Sequence, residues 1–323
     1  MRSKNTKKQM VSWASAILCA AAFAFAASAD NKPAELTLAQ ITPLSEQPFN
    51  WTGMYLGFNV GGVWEHFDLG HYNSFVNLDK QFDQAVPLNP GEILFDLEFS
   101  APGRSKTDTS AIGGGQIGYN QQFGHFVIGA EGGFSGLNPM QWTRFHGSQS
   151  GDTGIDSITF DTSFRSKRSV ETYWDGYIGA QFGVAYGRFL FYGNGGAAFT
   201  GVQIDSFERA STDFFGPAVT PTPTPIPIPA RRPLQSVVLL GGVTNQARRH
   251  DSDLQVGWYA GGGFQYALTD TIAAGVEYRH SDFGDETFGF GAPGPLFPGA
   301  TNVSLDSDQV TFRLNILLGH LGH

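Results

Sequence analysis

Eight stretches of this chain alternate apolar residues with glycine or small polar residues. In the first, Met54, Leu56, Phe58 and Val60 share one phase, and Tyr55, Gly57 and Asn59 share the other. Phe126 to Glu131 and Val310 to Ile316 repeat the rhythm. A period of two marks a β-strand with one apolar and one small or polar face. The pattern predicts strands over 51–64, 110–123, 125–137, 172–186, 189–204, 254–268, 271–283 and 308–318.

The connections between these strands alternate strictly between long and short. Gly124, Gly187-Arg188 and Thr269-Asp270 mark tight turns, and the longest excursion covers 205–253. Bacterial outer-membrane barrels show this asymmetry, with long loops outside and short turns at the periplasm. The expected fold is all-β: an eight-stranded antiparallel transmembrane β-barrel with long extracellular loops and short periplasmic turns. An even strand number puts both termini on the periplasmic side. Within the long segments, 93–99 and 158–164 keep a strand-like alternation, which predicts a collar above the membrane. The run 221–229 alternates proline and is expected as an extended polyproline spur, read as a spacer.

Alternation alone does not say which face meets lipid. In the sixth strand Trp258, Ala260, Gly262, Phe264, Tyr266 and Leu268 oppose Tyr259, Gly261, Gly263, Gln265 and Ala267. A strand glycine wastes backbone entropy unless something crowds it. Eight strands enclose just enough room for side chains, so the glycine and polar face belongs inside. That phase carries Glu131, Glu277, Arg279 and Arg313 at similar heights counted from the periplasmic turns. Buried charges demand partners, so an interior cluster is expected. Glu277 would meet Arg313 across neighbouring strands, with Gln116, Asn120, Gln181 and Gln265 around them.

Composition and the N-terminus narrow the class. Only 15% of the residues are charged, against 42 Gly and 28 Phe, unlike a soluble surface. Residues 1–29 read as a secretory signal. Arg2, Lys4, Lys7 and Lys8 precede an apolar stretch over 11–26 and a small-x-small site at Ala27-Ser28-Ala29. Residues 30–50, with Pro33, Pro43 and Pro48, read as a periplasmic lead-in, and 51–323 as the barrel. The single cysteine, Cys19, lies in the signal behind Leu18, which argues against lipidation and leaves no disulfide or Cys-based metal site. Without the signal, 16 basic residues face 29 acidic ones, a formal charge of −13 that argues against nucleic acid as a partner. Beyond the signal no apolar run reaches the roughly 18–20 residues of a membrane helix. A closed barrel is then the remaining way to cross.

Candidate chemistry is sparse. Gly113 to Gly118 fits G-x-G-x-x-G, but the strand continues through Tyr119 and Asn120 where a nucleotide site needs a helix. His280-Ser281-Asp282 could suggest a hydrolase, yet neighbours in a strand point to opposite faces. His66, His71, His146 and His250 lie in outer segments without metal or haem spacing. No catalytic, cofactor or metal residue is assigned. The basic clusters Arg165-Lys167-Arg168, Arg231-Arg232 and Arg248-Arg249 stand out in an acidic chain. Arginine pairs with phosphate bidentately, so Arg168 and Arg248, nearest the rim, are candidate lipopolysaccharide contacts. Trp51, Tyr186 and Tyr266 near the periplasmic ends, with Trp64, Trp174 and Trp258 near the outer ends, predict two aromatic girdles.

The segment Phe49 to Gly62 resembles the opening strand of the small porin-like, opacity-type outer-membrane barrels, the alphaproteobacterial surface-antigen branch with an OmpA-like fold. Gly257 to Asp270 and Val276 to Gly284 resemble that family's sixth and seventh strands, and Gly118 to Asn120 and Val127 to Glu131 its second and third. The resemblance implies an outer-membrane location, insertion by the barrel-assembly machinery, and surface-antigen or envelope-stabilising roles, with haem or host ligands in some members. The family usually ends on an aromatic residue, and this chain ends on Gly322-His323. The expected function is structural, at the cell envelope, without catalysis or cofactor. Alternatives are passage or binding of small solutes or haem, modification of lipid A, and a secreted lipocalin-like barrel. Outer-membrane lipid and lipopolysaccharide are the expected partners, with an extracellular ligand at the outer loops left open.

Overall fold

The computed structural model describes residues 49–87, 92–137, 140–155, 157–217, 237–289 and 295–318. The signal, the lead-in up to residue 48, the proline run 221–229, Arg231, Arg232 and the last five residues lie outside the described residues. The chain divides into two units, Met1–Phe49 and Asn50–His323, and all the strands belong to the second.

These strands are β1 (Gly53–Leu69), β2 (Tyr72–Asn77), β3 (Asp96–Ala101), β4 (Arg104–Phe123), β5 (Phe126–Gly136), β6 (Met140–Asp152), β7 (Thr159–Tyr186), β8 (Phe189–Pro217), β9 (Val237–Ala267), β10 (Ile272–Phe288), β11 (Leu296–Pro298) and β12 (Thr301–Leu317). One helix, α1 (Leu78–Ala85), follows β2. Eight strands form the ring β5-β4-β1-β12-β10-β9-β8-β7, closed by β5 pairing with β7 from Phe126↔Val184 to Gly136↔Trp174. Every pairing is antiparallel. The tight turns at Gly124 (φ +62°) and Gly187 (φ +58°) put glycine first in a two-residue loop, where the type II′ hairpin needs positive φ.

The apolar phase faces outward. Leu56, Phe58, Ile128, Phe264 and Phe312 are among many exposed large side chains on the ring. A continuous apolar surface of this extent belongs in lipid. One girdle residue departs from expectation. Trp51 is buried, and its backbone N–H donates to Gln122 Oε1 at 2.8 Å, which tucks the residue in beside the end of β4.

The strands run well beyond their expected ends. β7, β8 and β9 span 28, 29 and 31 residues, against the roughly 9–11 that cross a bilayer. The excursion expected over 205–253 consists largely of the upper arms of β8 and β9. With β6, which pairs with the upper half of β7, these arms form a four-stranded sheet above the ring. A three-stranded sheet, β11-β2-β3, and α1 cover its inner face. Phe82 meets Phe214 edge-on at 5.0 Å, and Phe99 stacks on Phe164 at 4.6 Å. The helix starts on Asn77, whose side chain accepts from Lys80 N at 2.8 Å as an N-cap. The collar expected from 93–99 and 158–164 is this two-sheet body. A second apolar core, including Phe67, Val170, Ile204, Phe283 and Leu305, fills the space between collar and ring.

Candidate functional site: the charged core of the ring

Inward residues stack in layers along the ring's interior. Val127, Ala185, Leu190, Ala267, Ala273 and Leu317 form an apolar floor at the periplasmic end. An amide layer follows. Asn59 donates to Gln116 Oε1 at 2.8 Å, Gln116 to Asn315 Oδ1 at 2.9 Å, and Asn315 to Gln265 Oε1 at 3.0 Å. Gln181 donates to Asn120 across β7 and β4.

The four charges converge beside this layer. Arg313 on β12 bonds Glu131 through Nη2 and Glu277 through Nη1. Arg279 Nη2 takes the other Glu277 oxygen, Oε1, at 2.8 Å. Tyr55 and Tyr177 each donate to Glu131 at 2.6 Å, one to either oxygen. Tyr192 and Asn194 donate to Glu277 Oε2 at 2.8 and 3.0 Å. The Arg279 guanidinium lies 3.5 Å from the centre of the Tyr177 ring. All four charged residues are nearly inaccessible to solvent. A buried ion cluster is tolerable only when its remaining lone pairs and protons are satisfied, and the tyrosines do much of that.

The glycines of the inner phase make room for the rings. A Cβ on Gly118 would stand 2.4 Å from the Tyr55 ring, and one on Gly133 would stand 2.4 Å from Tyr177. Small-residue positions on the polar face are therefore the other half of the tyrosine positions.

Glu131, Glu277, Arg279, Arg313, Gln116, Asn120, Gln181 and Gln265 are all buried inside the ring, and Glu277 does meet Arg313. Sequence reasoning did not pick out Tyr55, Tyr177, Tyr192, Asn59 or Asn315. Each lies in the polar phase of its strand, so the same periodicity that found the charges could have found them.

Arg168 needs a correction. The sequence places it as a lipopolysaccharide contact, but its side chain is fully buried. It lies 3.6 Å from the Tyr72 ring centre, 3.5 Å from Glu208 and 3.1 Å from the Gly299 carbonyl oxygen. The cause is a bulge in β7 between Thr172 and Asp175. Below it, even-numbered residues such as Ile178 face out; above it, Arg165 and Lys167 do, and Arg168 turns inward. Burial pushes the Glu208 carboxyl above its ordinary range and the Arg168 guanidinium below its own. Arg248 stays exposed on the outer wall.

The remaining candidates sit apart. Gly113 to Gly118 lie inside β4, paired on both sides. Ser281 is buried while His280 faces out, its ring tilted against Trp258 with centres 5.7 Å apart, and 2.9 Å from Asp308. Among the described residues no three His, Cys, Asp or Glu side chains converge as metal ligands.

A closed eight-stranded ring with an apolar exterior and a hydrogen-bonded charged interior is a transmembrane barrel of the Gram-negative outer membrane. The chain belongs to the outer membrane protein beta-barrel domain family, which it matches over residues 15–315. It is 25% identical over 276 residues to the 31 kDa outer-membrane immunogenic protein of Brucella melitensis, covering 84% of this chain and 87% of that protein. The Brucella suis protein of the same name matches equally. Among solved structures it is similar to Neisserial surface protein A, at 9% identity and TM-score 0.25, over 80% of this chain and 99% of that one. The attachment invasion locus protein of Yersinia pestis gives 10% identity and TM-score 0.23, over 81% and 99%.

Proposed function

We propose that this outer-membrane protein is a sealed structural barrel that displays a rigid collar at the cell surface, without catalysis and without passage of solutes. The observation that carries this reading is the filled interior. An apolar floor, an amide layer, the Arg313 cluster and the Phe67 core follow one another along the axis. A passage would need the ion cluster to part, leaving buried charges unpaired. The collar is the surface that an immune system or a neighbouring cell would meet, in keeping with the name of the Brucella relatives. Export by the signal and insertion by the barrel-assembly machinery complete the proposal.

Planar-bilayer recording of the purified protein tests it. No stable openings are expected from the wild type. Large, long-lived openings would overturn the sealed reading. A deletion strain is expected to become more sensitive to detergents while its lipid A stays unchanged.

A further inference from the structure

The outer wall of the collar carries an unbalanced cationic patch. The register of β6 to β9 puts Arg144, Lys167, Phe207 and Arg248 in one transverse row. Arg165 and Arg209 stand in the next row towards the tip. All five cations lie on the outward phase, away from the collar's core. Adjacent strands lie about 4.8 Å apart and alternate residues about 7 Å, so these like charges crowd a small area. Like charges directly opposite destabilise a sheet. Among the described residues, none of the five has a carboxylate at ion-pair distance. Asp205, the acid beside them, is engaged by His250 at 2.9 Å.

Two of the guanidiniums rest on aromatic rings. Arg144 lies 4.5 Å from the Trp142 ring centre, and Arg248 lies 5.2 Å from that of Phe207. Stacking holds the planar group while leaving its N–H fork for an oxyanion. A shallow groove of about 470 Å³ opens here, walled by Lys167, Asp205, Phe207, Arg248 and His250.

The position identifies the anion. Arg248 continues the outward phase of Leu254, Val256 and Trp258, which face acyl chains. A lipid lying against Val256 therefore carries its headgroup up the same wall. Six residues separate Arg248 from Leu254, about 20 Å along the strand and about 15 Å in height at barrel tilt. A phospholipid headgroup ends well below that height, because headgroups add only about 5–7 Å to each side of the hydrocarbon. The phosphorylated sugars of lipopolysaccharide extend that far.

We propose that the β6–β9 wall binds the phosphorylated core sugars of lipopolysaccharide from the outer leaflet, through Arg144, Lys167 and Arg248. This needs only an outer-membrane location and is independent of whether the barrel is sealed.

The test is a titration of the detergent-purified protein with lipopolysaccharide, and with the same material after phosphate removal. Heat-modifiability on a gel reports the folded fraction of each variant. The wild type is expected to bind the phosphorylated form at least about tenfold more tightly, and Lys167→Glu with Arg248→Glu to lose about tenfold. Arg104→Glu, exposed on β4, should leave affinity unchanged. Should the double variant fail to fold, Arg248→Gln alone is expected to lose about threefold. Equal affinity for both forms, or wild-type binding by the folded variants, would overturn the proposal. So would a heparin oligosaccharide that binds through Lys167 and Arg248 while lipopolysaccharide binding is indifferent to them, since the occupant would then be a soluble polyanion.

Discussion

Glu131 and Glu277 stand on diametrically opposed strands, β5 and β10, yet their carboxylates close on one guanidinium, that of Arg313. The contact spans the barrel's full interior. It works because the ring has only eight strands and because glycines line the intervening wall. The cluster therefore acts as a crossbar between two strands that share no hydrogen-bonded edge.

Removing the crossbar should be costly. Arg313→Ala leaves Glu131 buried without a cation and Glu277 with Arg279 alone, a loss of about 3–5 kcal/mol. The temperature at which the folded band converts on a gel should fall accordingly. Glu277→Ala, which strands Arg279 as well as half of Arg313, should lower it by a similar amount. The two together should lower it by less than the sum, as expected for groups in one network.

Gly118→Ala tests the tyrosine's space. The added methyl meets the Tyr55 ring, and overpacking of this kind costs about 1–3 kcal/mol. Urea unfolding in detergent should show the loss. Combining it with Tyr55→Leu should cost less than the two changes made separately, because the clash goes with the ring.

The collar should open without the ring. Phe164 is buried between Phe99 and Phe145, and Phe164→Ala should cost about 3–5 kcal/mol in that body. On whole cells, added protease should then cut within residues 72–101. The membrane-embedded fragment should remain folded. Loss of the whole barrel from the membrane would contradict a separable collar.

Acidity should favour the collar. The Glu208 carboxyl has a raised value in the folded state because burial disfavours its charge. Its stabilising contribution is complete below the unfolded carboxylate value of 4.5 and is lost as pH rises through the raised folded value. Amide protection in β2 and β8, taken relative to the intrinsic exchange rate at each pH, should therefore fall from pH 4 towards neutrality, and Glu208→Gln should flatten the trend.

The transmembrane half of this architecture was legible because lipid imposes a clean rule. Outward positions must be apolar, so Leu56, Ile128 and Phe264 declared the strands and left Glu131, Glu277 and Arg313 on the other phase. Above the membrane the rule lapses. The inner face of β8 mixes Ile204, Ala210 and Phe214 with Ser206, Glu208 and Thr212, which blurs the alternation. Glu208 and Thr212 are acceptable inside because Ser74 bonds Glu208 at 2.5 Å, and Gln81 and Thr162 bond Thr212. Such partners come from segments distant in sequence and leave no local trace. The β7 bulge is equally silent, and it reversed the facing of Arg168. Periodicity therefore located β7 correctly and misjudged its upper half.

The packing of Phe82 on Phe214 and of Phe99 on Phe164 binds the first surface excursion to the second and third. The displayed segments of this antigen-like surface therefore cannot drift independently. A change that helps one excursion escape an antibody must be compatible with residues far away along the chain. Immune pressure should thus produce linked sets of substitutions across the collar, and antibodies against one segment should select changes in another.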